Sequence, residues 1–325
     1  MDYVMLGKTG MRVSVAGLGC GGNSRLGLAI GKTEAEAVAL ARQALDLGVN
    51  FFDTAAAYTT EPIVGKAIKG RPRDQVVIST KAQIEKGGKF FPPEQIVASL
   101  DKSLRQLDTD YVDVFQLHMV HPTAYDYALN EIAPVLVREK EKGKIRALGI
   151  SETSPRDHEQ LMFRRAVNDP VWEVAMFAFN LMNHNARKHV FPKTIANDIG
   201  TLLMFVVRNI FSQPDKLAAR MRELAAAGQV PQSLATDNPL NFLVHEGGAG
   251  SLIDAAYRYA RHEPGAHVVL FGTTNTEHLK QNIESLLKPP LPEADRKKLS
   301  ELFGHLLGVG LEFPDHHVLN PPATQ

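Results

Sequence analysis

The sequence contains a single cysteine, Cys20. That excludes an internal disulfide and any multi-cysteine metal centre, and it fits a reducing compartment. Charge of one sign is not in excess either, since Lys plus Arg and Asp plus Glu number 36 each. No long-range field therefore draws the chain to nucleic acid or to an anionic membrane, and any anion site has to be local. No uninterrupted apolar run approaches the roughly 18 residues that span a bilayer. The opening MDYVMLGKTG lacks the basic start and apolar core of a signal peptide, so the cytoplasm is the expected compartment. There is no repeat and no low-complexity tract. What is present is globular in composition: 44% apolar residues, with 25 Gly and 19 Pro in 325 residues. One domain over residues 1–325 is expected, with a barrel over about 13–290 and a C-terminal helix and tail over 291–325.

From residue 12 onward, short apolar runs of strand type alternate with stretches of helical period, the pattern of repeated βα units. The strand candidates are Val13–Leu18, Asn50–Asp53, Val76–Thr80, Tyr111–Leu117, Ile145–Ile150, Val174–Phe179, Thr201–Val207 and His267–Phe271. Helices are expected near Glu34–Leu47, Glu61–Ile68, Pro93–Leu107, Tyr125–Lys142, His158–Val167 and Pro214–Ala227. Gly48, Gly143 and Gly228 follow three of these, where a left-handed cap is expected. Eight parallel strands in this length match a closed (β/α)8 TIM barrel better than an open, doubly wound sheet of five or six. Ahead of the barrel, Tyr3–Met5 and Met11–Val13 flank LGKTG and read as a small β-hairpin across one end. The longest irregular stretch, Gln229–Gly250, is a candidate substrate-facing loop.

Gly17, Gly19 and Gly22 satisfy G-x-G-x-x-G, but the Asn23–Lys32 stretch beyond them lacks helical period, so a Rossmann fingerprint is not indicated. The glycines instead let a ligand approach the backbone at Gly19, Cys20 and Gly21. Thr33 with Glu36 reads as a helix capping box. His118 and His121 have no accompanying ligand cluster, so no metal is expected. The informative pattern is where polar residues end apolar strands: Asp53 in NFFDTAAAY, Lys81 in VVISTK and His118 in YVDVFQLH, with Tyr58 on the loop after Asp53. In a parallel barrel such strand ends share one rim. A buried charge needs a partner, and Asp53 and Lys81 can be partners. The set suits proton transfer to a carbonyl oxygen. Tyr58 is the acid, Lys81 lowers its pKa, Asp53 holds Lys81 protonated, and His118 orients the carbonyl. Schiff-base chemistry on Lys81 is the alternative for a strand-end lysine, and pairing with Asp53 opposes it.

With NFFDTAAAY, ISTK and His118, together with LGKTGMRVSVAGLGCGG, SLRQLDTDYVDVFQLH and GKIRALGIS, the chain resembles the aldo-keto reductase superfamily. The resemblance implies a (β/α)8 barrel that binds NADP(H) or NAD(H) across its carboxyl face, with no metal. It implies hydride transfer to a small carbonyl compound or from the corresponding alcohol, and it makes Asp53, Tyr58, Lys81 and His118 the matching tetrad. Around the nicotinamide it implies contacts from Ser151, from Glu152 where the family has Asn, from Met176 where it has Gln, and from the ring of Phe205. Arg208 is placed to pair with the pyrophosphate. In FGTTNTEHLKQN, Thr273 and Thr274 open a helix as an anion site or capping box, and Gln281 and Asn282 match an adenine-contacting pair. Gly272 and His278 stand where NADPH-selective members carry a lysine and an arginine, so weak NADPH preference, or use of NADH, is expected. Oxidation of a sugar or polyol, and a non-catalytic dinucleotide-binding regulatory subunit, are the alternatives. The loops Asn23–Lys32, His121–Tyr127 and Gln229–Gly250 and the tail after Gly308 would set the substrate. A monomer or weak homo-oligomer is expected.

Overall fold

The computed structural model describes residues 1–311; the rest of the tail after Gly308, from 312 on, lies outside the described residues. The strands in chain order are β1 (Tyr3–Met5), β2 (Arg12–Ser14), β3 (Ala16–Gly19), β4 (Phe51–Asp53), β5 (Val77–Ala82), β6 (Glu85–Lys86), β7 (Lys89–Phe90), β8 (Val112–Val120), β9 (Ile145–Glu152), β10 (Val174–Ala178), β11 (Gly200–Met204) and β12 (Val268–Phe271). Among the described residues, eight of these (β3, β4, β5, β8, β9, β10, β11 and β12) form one closed parallel barrel, β12 pairing back onto β3. Helices run between them on the outside, so the fold is the expected (β/α)8 barrel. Helices Glu61–Ile68 and Pro93–Leu107 keep the expected bounds, and Thr33 and Glu36 form the reciprocal capping box. Gly48, Gly143 and Gly228 all have positive φ. No helix of the described residues is long and apolar enough to cross a membrane.

Several boundaries differ from the sequence expectation, each for a local reason. The apolar run Val13–Leu18 is two strands. Ser14 is tied to Asn50, whose Oδ1 accepts from Ser14 N at 2.7 Å, and the chain bends at Val15 before β3 begins. The hairpin therefore pairs Tyr3–Met5 with Arg12–Ser14, one residue later than expected. Thr201–Val207 stops as a strand at Met204, because Phe205 turns left-handed at φ +61°. The Tyr125–Lys142 helix is interrupted by a π-helical turn at Ala128–Ile132. The His158–Val167 helix shortens to Leu161–Ala166, where the Asp157 carboxylate accepts from Leu161 N and Met162 N.

The period of two along the strands sorts the core into two layers. Phe52, Ile78, Phe115, Leu148 and Leu203 face the helices, whereas Phe51, Val77, Val114, Ala147 and Leu202 fill the barrel. The hairpin closes the amino-terminal end of the inner layer with Leu6, Met11 and Val13. Leu6 is fully buried and is admitted by Gly200, where a Cβ would stand 2.6 Å from Leu6 Cγ. Leu6→Ala should lower unfolding free energy by about 2–5 kcal/mol. Urea unfolding should show this as a lower midpoint at unchanged slope, and an unchanged midpoint would remove the plug role.

Candidate active site

Continuing the inner-facing period toward the carboxyl ends, Phe51 leads to Asp53, Val77 to Ser79 and Lys81, and Val114 to Gln116 and His118. The inside of the barrel thus changes from apolar to polar along each strand. Lys81 Nζ donates to Asp53 Oδ1 at 2.7 Å, Asp53 Oδ2 at 2.6 Å and the Thr54 carbonyl at 2.7 Å. All three ammonium protons are used, with both side chains buried. Asp53 Oδ1 also accepts from Ser79 Oγ at 3.0 Å, and Gln116 Nε2 donates to Ser79 Oγ at 2.7 Å. Ser79 and Gln116 were not singled out from the sequence, although their spacing of two from Lys81 and His118 is the signal that finds them.

Tyr58 ends a short 3-10 turn, Ala56–Tyr58, just beyond β4. Its Oη lies 3.1 Å from His118 Nε2, the rings meeting edge to face at 5.4 Å, and Lys81 Nζ sits 5.3 Å from the Tyr58 ring centre. The backbone after β3 closes onto this ring at Gly21, where a Cβ would fall 2.5 Å from the Tyr58 Cε2 atom. His118 is aimed by a break in register between β8 and β9, with Met119 at φ +57°. Ser151 Oγ secures that break, accepting from Met119 N at 2.9 Å and donating to the Leu117 carbonyl at 3.3 Å. One expectation is corrected here. Burial first, then the charge of Asp53, raise the Tyr58 pKa, and Arg25 only partly opposes them. Lys81, 5.3 Å from the ring centre, does not outweigh them.

Tyr58, Lys81 and His118 open into a cavity of about 330 Å³, whose walls include Gly22, Arg25, Ser151, Glu152, Met176, Met204, Phe205 and Arg208. The Arg208 guanidinium lies 4.2 Å over the Phe205 ring. Cys20, expected to offer its backbone to the cofactor, is fully buried, with Sγ toward the Leu18 carbonyl. The Gln229–Gly250 loop contributes nothing to this cavity. It packs instead on the C-terminal helix, with His245 Nε2 3.0 Å from Asp295 Oδ2 and Lys298 over Phe242. The Gly272–Asn282 segment also lies outside the cavity, beyond β12. There the helix Thr276–Leu287 is capped by Asn275, whose Oδ1 accepts from Glu277 N and His278 N, rather than by Thr274. Two amides expected for an anion are therefore satisfied within the chain. Thr273 and Asn282 are buried, whereas Gly272, His278 and Gln281 are exposed. Lys32 reaches across from the loop after β3 and donates to the Thr274 carbonyl at 2.5 Å. Arg25 was not singled out from the sequence, since a lone basic residue in an irregular loop carries no pattern. No group of three His, Cys, Asp or Glu side chains among the described residues is placed to hold a metal.

These features fit an extended dinucleotide. The cavity that holds Tyr58 is lined also by Ser151, Glu152, Met176 and Phe205 and by the guanidinium residues Arg25 and Arg208. Gly272 leaves the edge beyond β12 open, with nothing nearer than 3.6 Å to a Cβ placed there.

Comparison with known proteins agrees with this fold. The family model for the aldo/keto reductase family matches residues 17–303. The chain is 30% identical to the aldo-keto reductase YhdN of Bacillus subtilis, the match covering 100% of this chain and 99% of that protein. It is 38% identical to the L-galactose dehydrogenase of Arabidopsis thaliana over 45% of this chain and 47% of that one. In fold it is similar to the holo form of an aldo-keto reductase from Bacillus halodurans, at a TM-score of 0.72 and 22% identity over 96% of this chain and 100% of that one. It is similar also to the thermostable aldo-keto reductase Tm1743, at 0.69 and 21% over 93% and 99%. The chain belongs to the aldo/keto reductase family and has the oxidoreductase barrel of that family.

Proposed function

We propose that the protein is an NAD(P)(H)-dependent oxidoreductase that reduces a small aldehyde or ketone, with Tyr58 as general acid. The observation that carries this reading is the Tyr58–His118 contact standing over the buried Lys81–Asp53 pair. A nicotinamide dinucleotide, when bound, supplies the hydride to the carbonyl carbon. Ser151, Glu152, Met176 and Phe205 would surround its ring, Arg25 and Arg208 its phosphates, and Gly272 to Asn282 its adenosine end. The carbonyl oxygen would accept from Tyr58 Oη and from His118 Nε2 in its protonated tautomer. As charge develops on that oxygen, the Tyr58 proton moves to it. An alkoxide is a far stronger base than a phenolate, so the raised pKa of Tyr58 does not block the transfer. The Lys81 ammonium beside the ring stabilises the phenolate left behind. With its three protons committed and its side chain buried, Lys81 is unsuited to Schiff-base chemistry.

A second reading, oxidation of a sugar or polyol, is favoured by the likeness to L-galactose dehydrogenase over part of the chain. In that direction Tyr58 would have to lose its proton first, and its raised pKa favours reduction near neutral pH.

Tyr58→Phe should lower kcat for reduction of a generic aldehyde by about 10²–10⁴-fold and change cofactor affinity by less than about threefold. Full turnover in the variant would remove the acid role, whereas cofactor binding without turnover in the wild type would point to a regulatory subunit. Gly272 and His278 offer a 2′-phosphate no permanent cation. Fluorescence titration should therefore place the Kd values for NADPH and NADH within about a hundredfold of each other, and a larger preference for NADPH would contradict this.

A further inference from the structure

Glu152 is the last residue of β9 and forms part of the cavity wall. It is 1% exposed. Its Oε1 accepts from Ala178 N and from Ser154 Oγ, both at 2.7 Å, whereas no donor among the described residues makes a hydrogen bond to Oε2. The Gln160 amide is near enough to polarise the carboxyl without a hydrogen bond of normal geometry. Asp157, in the loop after β9, is the charge acting on it. From β10 it meets the Ala178 amide, and from β8 its backbone partner Val120. The same cavity is lined by His118, Arg25, Arg208 and Lys81, the last paired with Asp53. A carboxylate this buried has given up most of its hydration, no cation among the described residues forms an ion pair with it, and Asp157 repels it. Burial above all, with a smaller push from Asp157, raises its pKa to about 8, against the pull of the Ala178 and Ser154 hydrogen bonds and of the Gln160 amide. Near neutral pH the proton therefore sits on Oε2, since Oε1 is already an acceptor twice.

A role for this proton rests on the reading that a nicotinamide ring occupies the cavity. The oxygen protonated by Tyr58 and the carbon that takes the hydride belong to one carbonyl, so the ring shares the cavity with Tyr58. An oxidised ring carries a positive charge and a reduced ring carries none. We propose that Glu152 distinguishes the two cofactor states, staying neutral beside the reduced ring and ionising beside the oxidised one, so that binding of the oxidised dinucleotide releases a proton. In that step the O–H bond at Oε2 breaks and the proton passes to the buffer. No electron moves, and the carboxylate left behind compensates the ring cation. The attraction acts through a cavity of low dielectric and needs no direct contact. By linkage, affinity for the oxidised form rises with pH until Glu152 is already ionised, and affinity for the reduced form does not.

Calorimetric titration of the whole protein with NAD⁺ and with NADH, or with the NADP pair if that binds, reads the proton count when repeated in buffers of different ionisation enthalpy. At about pH 7 nearly one proton should leave with the oxidised form and almost none with the reduced form, and at about pH 9.5 little should leave with either. The Kd for the oxidised form should fall about tenfold between about pH 6 and about pH 7. Glu152→Gln, neutral at every pH, should bind both forms and lose both the release and the pH dependence, while Tyr58→Phe keeps them. Equal release with both forms, or release that persists in Glu152→Gln, would overturn the proposal. Should that variant not fold, undiminished release from the wild type at about pH 9.5 would overturn it equally. Binding of neither cofactor form would overturn the cofactor reading itself and the proposal with it.

Discussion

The ion pair between Lys81 and Asp53 is the constraint around which the carboxyl end of the barrel is arranged. Removing both charges from water costs several kcal/mol per ion, and the loss is offset only when every proton and lone pair finds a partner. Here the ammonium is saturated by two carboxylate oxygens and the Thr54 carbonyl, and the carboxylate draws on Ser79 as well. Those partners come from adjacent strands at matching height, because β4 pairs with β5 and β5 with β8 in a parallel register. The polar layer is therefore a consequence of barrel closure, and it has to sit on top of a filled apolar interior. The hairpin residue Leu6, at the far end, is part of the same arrangement.

Burial acts on Tyr58 most strongly, and the Asp53 charge adds to it. Its proton is retained, which suits an acid whose acceptor is an oxygen that becomes strongly basic only as the hydride arrives. The backbone holds this ring in place from two sides. Gly21 lets the loop after β3 lie on one face, and the break in β8 at Met119, held by Ser151, turns His118 toward the hydroxyl. Ser151 thus has a structural task within the barrel besides any contact it makes with a ligand.

Most of the barrel was legible because buried parallel strands are short apolar runs bounded by helices with caps. The ends of Glu61–Ile68 and Pro93–Leu107 follow from their prolines and apolar period. Asp53, Lys81 and His118 stood out as ionisable residues ending apolar runs. What stayed hidden had no local signature. The bend at Val15 lies inside an apolar run, the break at Met119 depends on pairing with a strand distant in sequence, and Ser79 and Gln116 look like neutral interruptions until the inward face is traced. The Asn275 cap was obscured by three consecutive candidates in TTN. The Gln229–Gly250 loop was read from its length, whereas its position is set by contacts with a helix some fifty residues later. The acidity of Tyr58 was misjudged because the sequence names the neighbouring ammonium and its Asp53 partner but does not show how far the hydroxyl is withdrawn from water.

Hydride transfer at this cavity is tested most directly by incubating the protein with a generic aldehyde and NADH or NADPH carrying deuterium at C4, then locating the label in the alcohol. Deuterium on the carbinol carbon, from one face of the nicotinamide only, is the predicted result, with solvent supplying only the hydroxyl proton. An unlabelled product, or a carbinol hydrogen drawn from solvent, would contradict it.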